Sequence, residues 1–573
     1  MKRIFILILI VAPLVQVFPQ DLDLVGKEKP FKINGGVSLN QVAYWSDDTI
    51  SKRDPYNYFI SGNLNMSLYG WSVPLTFSFS NQKFSYTQPF NQYSMHPTYK
   101  WVKLHIGYTS MTFSPYTLNG HLFLGGGVEL TPEGPFTVSA MYGRLKKATE
   151  FDSTLANPVP PEFERWGYGL KGTYELSTGE IVKSDIGLTI FQASDKPGSL
   201  NFLPDSMAFP GRNFVFGTNI NVTIKGGFKI TGELASSAVT DNVNSELEGG
   251  PSSGWRHLMG NMVRPNATTQ VYSARHFNIT YGAKIYSIGL GYERIDPGYR
   301  TFGAYYFNND MENITLNGSL RLLKDKITIG ANVGKQRDNL DNNKVSEFSR
   351  WVTAVNVGYN SGDKLSASLS WSTFNSYTNI KSEFEYINEV TPYDNLDTLD
   401  FTQLSASGNA NVTYALQNTE KVRQNLSLNF SLQNASEKQG YTDVEGGSRF
   451  YNGNAAYSYS LVPLGLTISA ALNTNFNIMP DMNTSTVGPT LSATKMFLDK
   501  KLRASMAFSY NEAFTKGKRQ NRVAGLRSNA TYRLAKRHNF SLGLTYMNRT
   551  TNMQEESRKL SELVGNFGYS FSF

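Results

Sequence analysis

Read alternately, the residues from Leu560 to Phe573 sort into two faces. One carries Leu563, Gly565, Phe567, Tyr569, Phe571 and Phe573; the other carries Val564, Asn566, Gly568, Ser570 and Ser572. A period of two defines a β-strand with one apolar side and one wet side. The apolar side grows more aromatic towards Phe573. In water such an edge would recruit other chains, so the strand calls for a barrel partner or lipid against it.

Tyr569, Phe571 and Phe573 resemble the closing strand of Gram-negative outer-membrane β-barrels, whose terminal Phe is part of the signal read by the barrel assembly machinery. The resemblance implies an outer-membrane location, with membrane lipid and that machinery as partners.

Composition agrees with a barrel. Aromatics make up 13% of the chain, with 36 Phe and 32 Tyr, yet mean hydropathy is only −0.34. A polar average contradicts helical membrane spans, but in a barrel lipid-facing and lumen-facing residues cancel along each strand. Lys2 and Arg3 followed by apolar Ile4–Val17 read as a secretory signal over residues 1–20, with cleavage near Gln20. Residues 21–573 then form one barrel domain. The chain has no cysteine, which excludes a lipidated N-terminal Cys, disulfides and thiolate metal sites. The formal charge of +8 falls to +6 once Lys2 and Arg3 leave. With no basic run interleaved with aromatics, nothing points to nucleic acid. Only Asp21–Lys29 lies between the signal and the first strand, too short for a plug domain or periplasmic repeats.

From Phe31 onward the alternation recurs in runs of about 9–14 residues, long enough for tilted membrane strands. Short turns, such as Thr131–Gly134, Lys225–Gly227 and Leu498–Lys501, alternate with long polar loops such as Ala148–Arg165, Asp241–Val271, Asp296–Asp310 and Asn375–Asp400. The short turns belong in the periplasm and the long loops outside. The runs number about 25, whereas a closed antiparallel barrel with both termini at one end needs an even count. The parity breaks between Lys100 and Gly134. Either a strand hides in Lys83–Lys100, or Thr112–Asn119 enters the lumen without joining the sheet. The expected fold is an all-β, antiparallel transmembrane barrel of 24 to 26 strands, its lumen partly filled by inward-folded segments.

The parity break falls in the most distinctive stretch, Tyr108 to Leu145, which reads YTSMTFSPYTLNGHLFLGGGVELTPEGPFTVSAMYGRL. This stretch and Tyr292–Phe307, YERIDPGYRTFGAYYF, resemble a poorly characterised group of large outer-membrane barrels of the Bacteroidota type. That resemblance implies localisation and fold, and no activity comes with it. The alternation places Lys103, His105, Gly107, Gly125, Gly127, Glu129 and Gly143 on the lumen face. Several glycines on one patch either mark close approach of another segment or only ease curvature. The candidate plug is Phe113–Leu118, kept out of the sheet by Pro115, with Tyr116 at its centre. A second is Asp296–Phe307, including Arg300, beside Gly289, Gly291 and Glu293.

Signs of catalysis are thin. Of the six histidines (His96, His105, His121, His257, His276 and His538) none has zinc-site spacing, and the acidic loop Asn375–Asp400 lacks the spacing of a calcium loop. No catalytic, metal or cofactor residue is assigned, and the chain reads as a non-enzyme. Two functions fit: a channel for hydrophilic solutes or the pore part of an export system, and a non-conducting barrel whose loops and rim dock secretion or surface proteins.

Overall fold

The structure, a computed structural model, describes residues 31–47, 54–68, 70–81, 92–151, 161–178, 181–201, 208–246, 265–305, 308–342, 349–362, 364–373, 404–435, 438–439, 442–443, 448–479, 482–553 and 556–573. The expected signal segment, the loop Asn375–Asp400 and Phe307 lie outside the described residues.

Twenty-six antiparallel strands form one closed barrel. Closure is direct: Phe31–Ser46 pairs with Tyr56–Leu68 on one side and with Glu556–Ser572 on the other. A closed ladder satisfies every strand edge within the sheet, which lipid requires because it offers no hydrogen bonds. The hidden strand is present, broken in two. Gln92–Met95 pairs with Trp71–Ser80 and Val102–Thr112, and after a break at His96 and Pro97 the short piece Thr98–Tyr99 continues the same pairing. The turn of Phe113–Leu118 also leaves the sheet. The hidden strand alone makes the count even: Phe113–Leu118 is the turn between two paired strands, and Thr112 and Asn119 at its ends still pair with each other.

The outer face carries the apolar set. Leu170, Leu188, Leu234, Ile279, Leu290, Leu316, Leu369, Leu472, Leu491 and Leu542 are all exposed. These residues alternate with lumen positions on their strands, forming the lipid-facing band of an outer-membrane barrel. The rings of Phe228, Tyr281 and Tyr286 meet at tilted angles at the short-turn end, as in the aromatic belt at a membrane boundary. The protein therefore sits in the outer membrane, with its short turns on the periplasmic side.

Candidate functional site

The lumen wall has two halves of different chemistry. From Val102 to Ile295 glycines and apolar side chains line much of it, with a few polar and charged groups among them, and two segments fold in against it.

The first segment follows a register slip between the pairs Ser110–Leu122 and Thr112–Asn119, with Gly120 at φ +64°. A slip of this kind bends the strands and releases the connecting residues. Phe113 N donates to Leu118 O at 2.8 Å, and the Ser114 and Thr117 hydroxyls bond at 2.8 Å, so the turn is held by its own polar groups. Phe113 and Leu118 then join a buried cluster with Met111, Phe123, Met141, Leu145, Phe191 and Val215. Pro115 stays exposed at the tip of the turn.

Small wall residues make the room. A methyl on Gly169 would stand 2.7 Å from the Phe113 ring, and one on Gly217 would stand 3.0 Å from Thr117 Cγ2. At Gly127 the neighbour is Met111 Sδ, and at Gly143 it is the Phe123 ring. Gly107 and Gly125 instead lie against the backbone of Tyr93 and Tyr142 on neighbouring strands, while Gly289 and Gly291 face Thr280 and Thr315. These four accommodate the wall itself. Gly169 and Gly217 carry the plug contacts, but reading one strand at a time does not single them out, because their partners are distant in sequence.

The second segment is Asp296–Tyr305. Asp296 accepts from Ser273 N at 2.9 Å and Ser273 Oγ at 2.5 Å, and its ion pair with Arg294 is 3.5 Å. Arg300 pairs with Asp241, and its carbonyl accepts from Ser237 Oγ at 2.6 Å. Tyr299 is fully buried beside Tyr116, Ala235, Ala274 and Ile295. Three bonds lock the two segments together. Tyr299 donates its hydroxyl to Tyr116 O at 2.7 Å, Thr301 Oγ1 donates to Thr117 O at 2.7 Å, and Asn119 N donates to Gly303 O at 2.9 Å.

Polar wall residues receive the tip. Glu233, His276 and Glu293 are cross-strand neighbours on three adjacent strands. Tyr116 donates its hydroxyl to Glu293 Oε1 at 2.5 Å, and Lys171 Nζ donates to Phe113 O at 2.5 Å. Burial, and then the Glu293 carboxylate, push the Tyr116 phenol well above its ordinary range; burial and Glu233 do the same for Tyr299. Both phenols therefore remain donors.

Lys103, His105 and Glu129 lie lower on the wall and bond among themselves. Glu129 Oε1 is 2.6 Å from His105 Nε2 and 3.1 Å from Lys103 Nζ, and His105 Nδ1 is 3.1 Å from His96 Nδ1. His96 stands at the break in its strand, so this network braces the wall where its ladder is thinnest. Thr109 Oγ1 is 3.3 Å from His105 Nδ1, but Thr109 is 3% exposed and His105 5%. A substrate has no access to that hydroxyl.

The rest of the lumen face is mostly polar. Ser366, Ser368, Ser370 and Ser372 share one face of a strand whose other face is Leu365, Ala367, Leu369 and Trp371. Asn63, Asn65 and Asn332 are exposed there. Asn429, Asn454, Asn473 and Thr490 form a ladder across four strands, with successive bonds of 3.1, 2.7 and 3.2 Å.

No family model matches the chain, and no curated protein matches it. Solved structures match over most of its length. The FrpB iron transporter of Neisseria meningitidis aligns at TM-score 0.38 and 10% identity, covering 96% of this chain and 83% of that one. The siderophore receptor PirA of Acinetobacter baumannii aligns at 0.40 and 10%, covering 95% and 80%. The P pilus usher PapC translocation pore aligns at 0.30 and 11%, covering 94% and 99%.

Proposed function

We propose that the chain is an outer-membrane channel for hydrophilic solutes, whose path follows the Ser-, Asn- and Thr-lined wall opposite the filled half. The asymmetry of the lumen carries this reading. Barrels of 16–18 strands already leave an aqueous channel, so 26 strands left unfilled would be a far wider hole. Among the described residues the two inward segments narrow it from one side, and they are held by buried apolar contacts typical of a fixed wall. The remaining wall presents amide and hydroxyl groups, with the arginines Arg503, Arg527 and Arg549 on the same face, a lining suited to neutral or anionic polar solutes.

The test is conductance of the purified barrel in planar bilayers, paired with liposome swelling in neutral sugars. The channel reading expects stable openings and sugar entry with no other protein added. A folded barrel that neither conducts nor admits sugars is not a channel.

A further inference from the structure

The outer face carries a basic row where lipid would be expected to meet only apolar side chains. Arg275, Arg294, Glu312 and Arg337 are successive cross-strand partners on four neighbouring strands. Their parity is that of the exposed Phe277, Ile279, Leu290, Ile314 and Leu316, so the row points to lipid. Lys335 is exposed on the same face, one position below Arg337 on the lipid side and opposite Trp351, whose ring is 68% exposed.

The charges do not balance within the row. Glu312 serves both Arg337, at 2.5 Å, and Arg294, at 3.7 Å, and also accepts the Tyr292 hydroxyl at 2.9 Å. Asp296 adds one contact to Arg294. Among the described residues Arg275 and Lys335 form no ion pair.

Depth sharpens the point. Arg275 lies seven residues from the periplasmic end of its strand at Gly282. At roughly 3.3 Å per residue and a tilt of about 40°, that is only about 18 Å of height. The apolar band of such barrels is about 25 Å tall. A cation held at that level needs an anion brought down to it.

We propose that this row binds the phosphate-bearing headgroup of a multiply acylated outer-leaflet lipid. The phosphates pair with Arg275 and Lys335, and the acyl chains lie on Phe277, Ile279, Leu290 and Ile314 below. Guanidinium suits phosphate because its planar fork donates two parallel hydrogen bonds. The exposed Trp351 indole provides the amphipathic flank favoured at a membrane interface. The site does not depend on whether the lumen conducts.

The test is native mass spectrometry of the intact folded barrel in detergent, titrated with a diphosphorylated, multiply acylated diglucosamine lipid and with its dephosphorylated counterpart. The native chain should prefer the phosphorylated lipid by about tenfold or more, the scale of one charge-assisted contact. Arg275→Gln with Lys335→Gln should lose that preference. Lys495→Gln, which neutralises an exposed cation on the lipid face near the periplasmic turn, should keep it. Arg275→Ala alone, expected to lower the preference, serves as the second variant should the double one misfold, and retention of heat-modifiable migration reports folding. Equal binding of the two lipids, an unchanged preference in the folded variants, or full competition by inorganic phosphate would each overturn the proposal.

Discussion

Gly35 and Phe573 hold each other by two backbone hydrogen bonds. Gly35 N donates to Phe573 O at 3.1 Å, and Phe573 N donates to Gly35 O at 3.0 Å. This pair ends the seam that closes the barrel, and the Phe571 and Phe573 rings stack beside it at 5.5 Å. Gly35 has φ +154°, and a methyl there would stand 2.2 Å from Asn63 O. Gly35→Val should therefore weaken closure after assembly, seen as a lower temperature for loss of the heat-modifiable form. Deleting Phe573 removes the pair and, in our reading, the assembly signal as well. It should leave less barrel in the membrane fraction and more protein in the periplasm. Wild-type membrane levels after the deletion would refute the targeting role.

A second prediction tests the register. Leu64 faces Gly35 and Leu75 across its neighbours, while the exposed Asn65 accepts from Ser72 Oγ at 3.1 Å. Arginine on the lipid side costs about 2–4 kcal/mol near the midplane, and lumen substitutions are tolerated. Leu64→Arg should shift a refolding titration by a cost of that order and Asn65→Arg should leave it nearly unmoved. Equal shifts would mean the faces are exchanged.

The lock between the inward segments gives a third. Tyr299→Phe removes the hydroxyl that donates to Tyr116 O, a bond of a kind worth about 0.5–1.5 kcal/mol. Its ring still fills the space between Ala235 and Ala274. The variant should fold and conduct with more frequent fluctuations between conductance levels. A single-channel record indistinguishable from the native one would show that the lock contributes nothing to holding the segments still.

The alternation that made the fold legible is local: each strand states its own lipid face within about ten residues, and the Phe573 strand states the architecture. The even count was recoverable for the same reason, because one violation of parity stood out between Lys100 and Gly134. The contacts across the lumen were much less legible. Phe113 and Pro115 announced a segment leaving the sheet, but Gly169, Gly217 and Ser237, which receive the two segments, lie on other hairpins where a small residue carries no distinguishing mark. Lys103, His105 and Glu129 were visible as a polar lumen patch. Their true neighbour, His96, sits on a strand broken by Pro97, which gave too little alternation to read. The basic row on the outer face was missed because Arg275, Arg294 and Arg337 come together only through pairing.

The last prediction concerns the filled half. Thr117 and Leu118 are wholly buried and Phe113 nearly so, whereas Pro115 at the tip is exposed. The segment thus has a part that fixes it and an exposed tip, and the two can be separated. Pro115→Ala changes only the exposed tip and should alter conductance little. Leu118→Ala opens a cavity in the lumen cluster, where such truncations cost about 2–5 kcal/mol. It should loosen the segment without unfolding a ladder of 26 strands. Replacing Ser114–Leu118 by a short Gly-Ser linker goes further: it removes the Leu118 contact and the side chains that hold in place the backbone carbonyls accepting from Thr301 and Tyr299. Both segments should then come away from the wall, raising single-channel conductance and sensitising cells to antibiotics too large for the native path. Loss of folded barrel in the linker variant would shift the weight of the test to Leu118→Ala. Unchanged conductance and drug sensitivity in a folded linker variant would mean that the inward segments stiffen the wall without setting the width of the path.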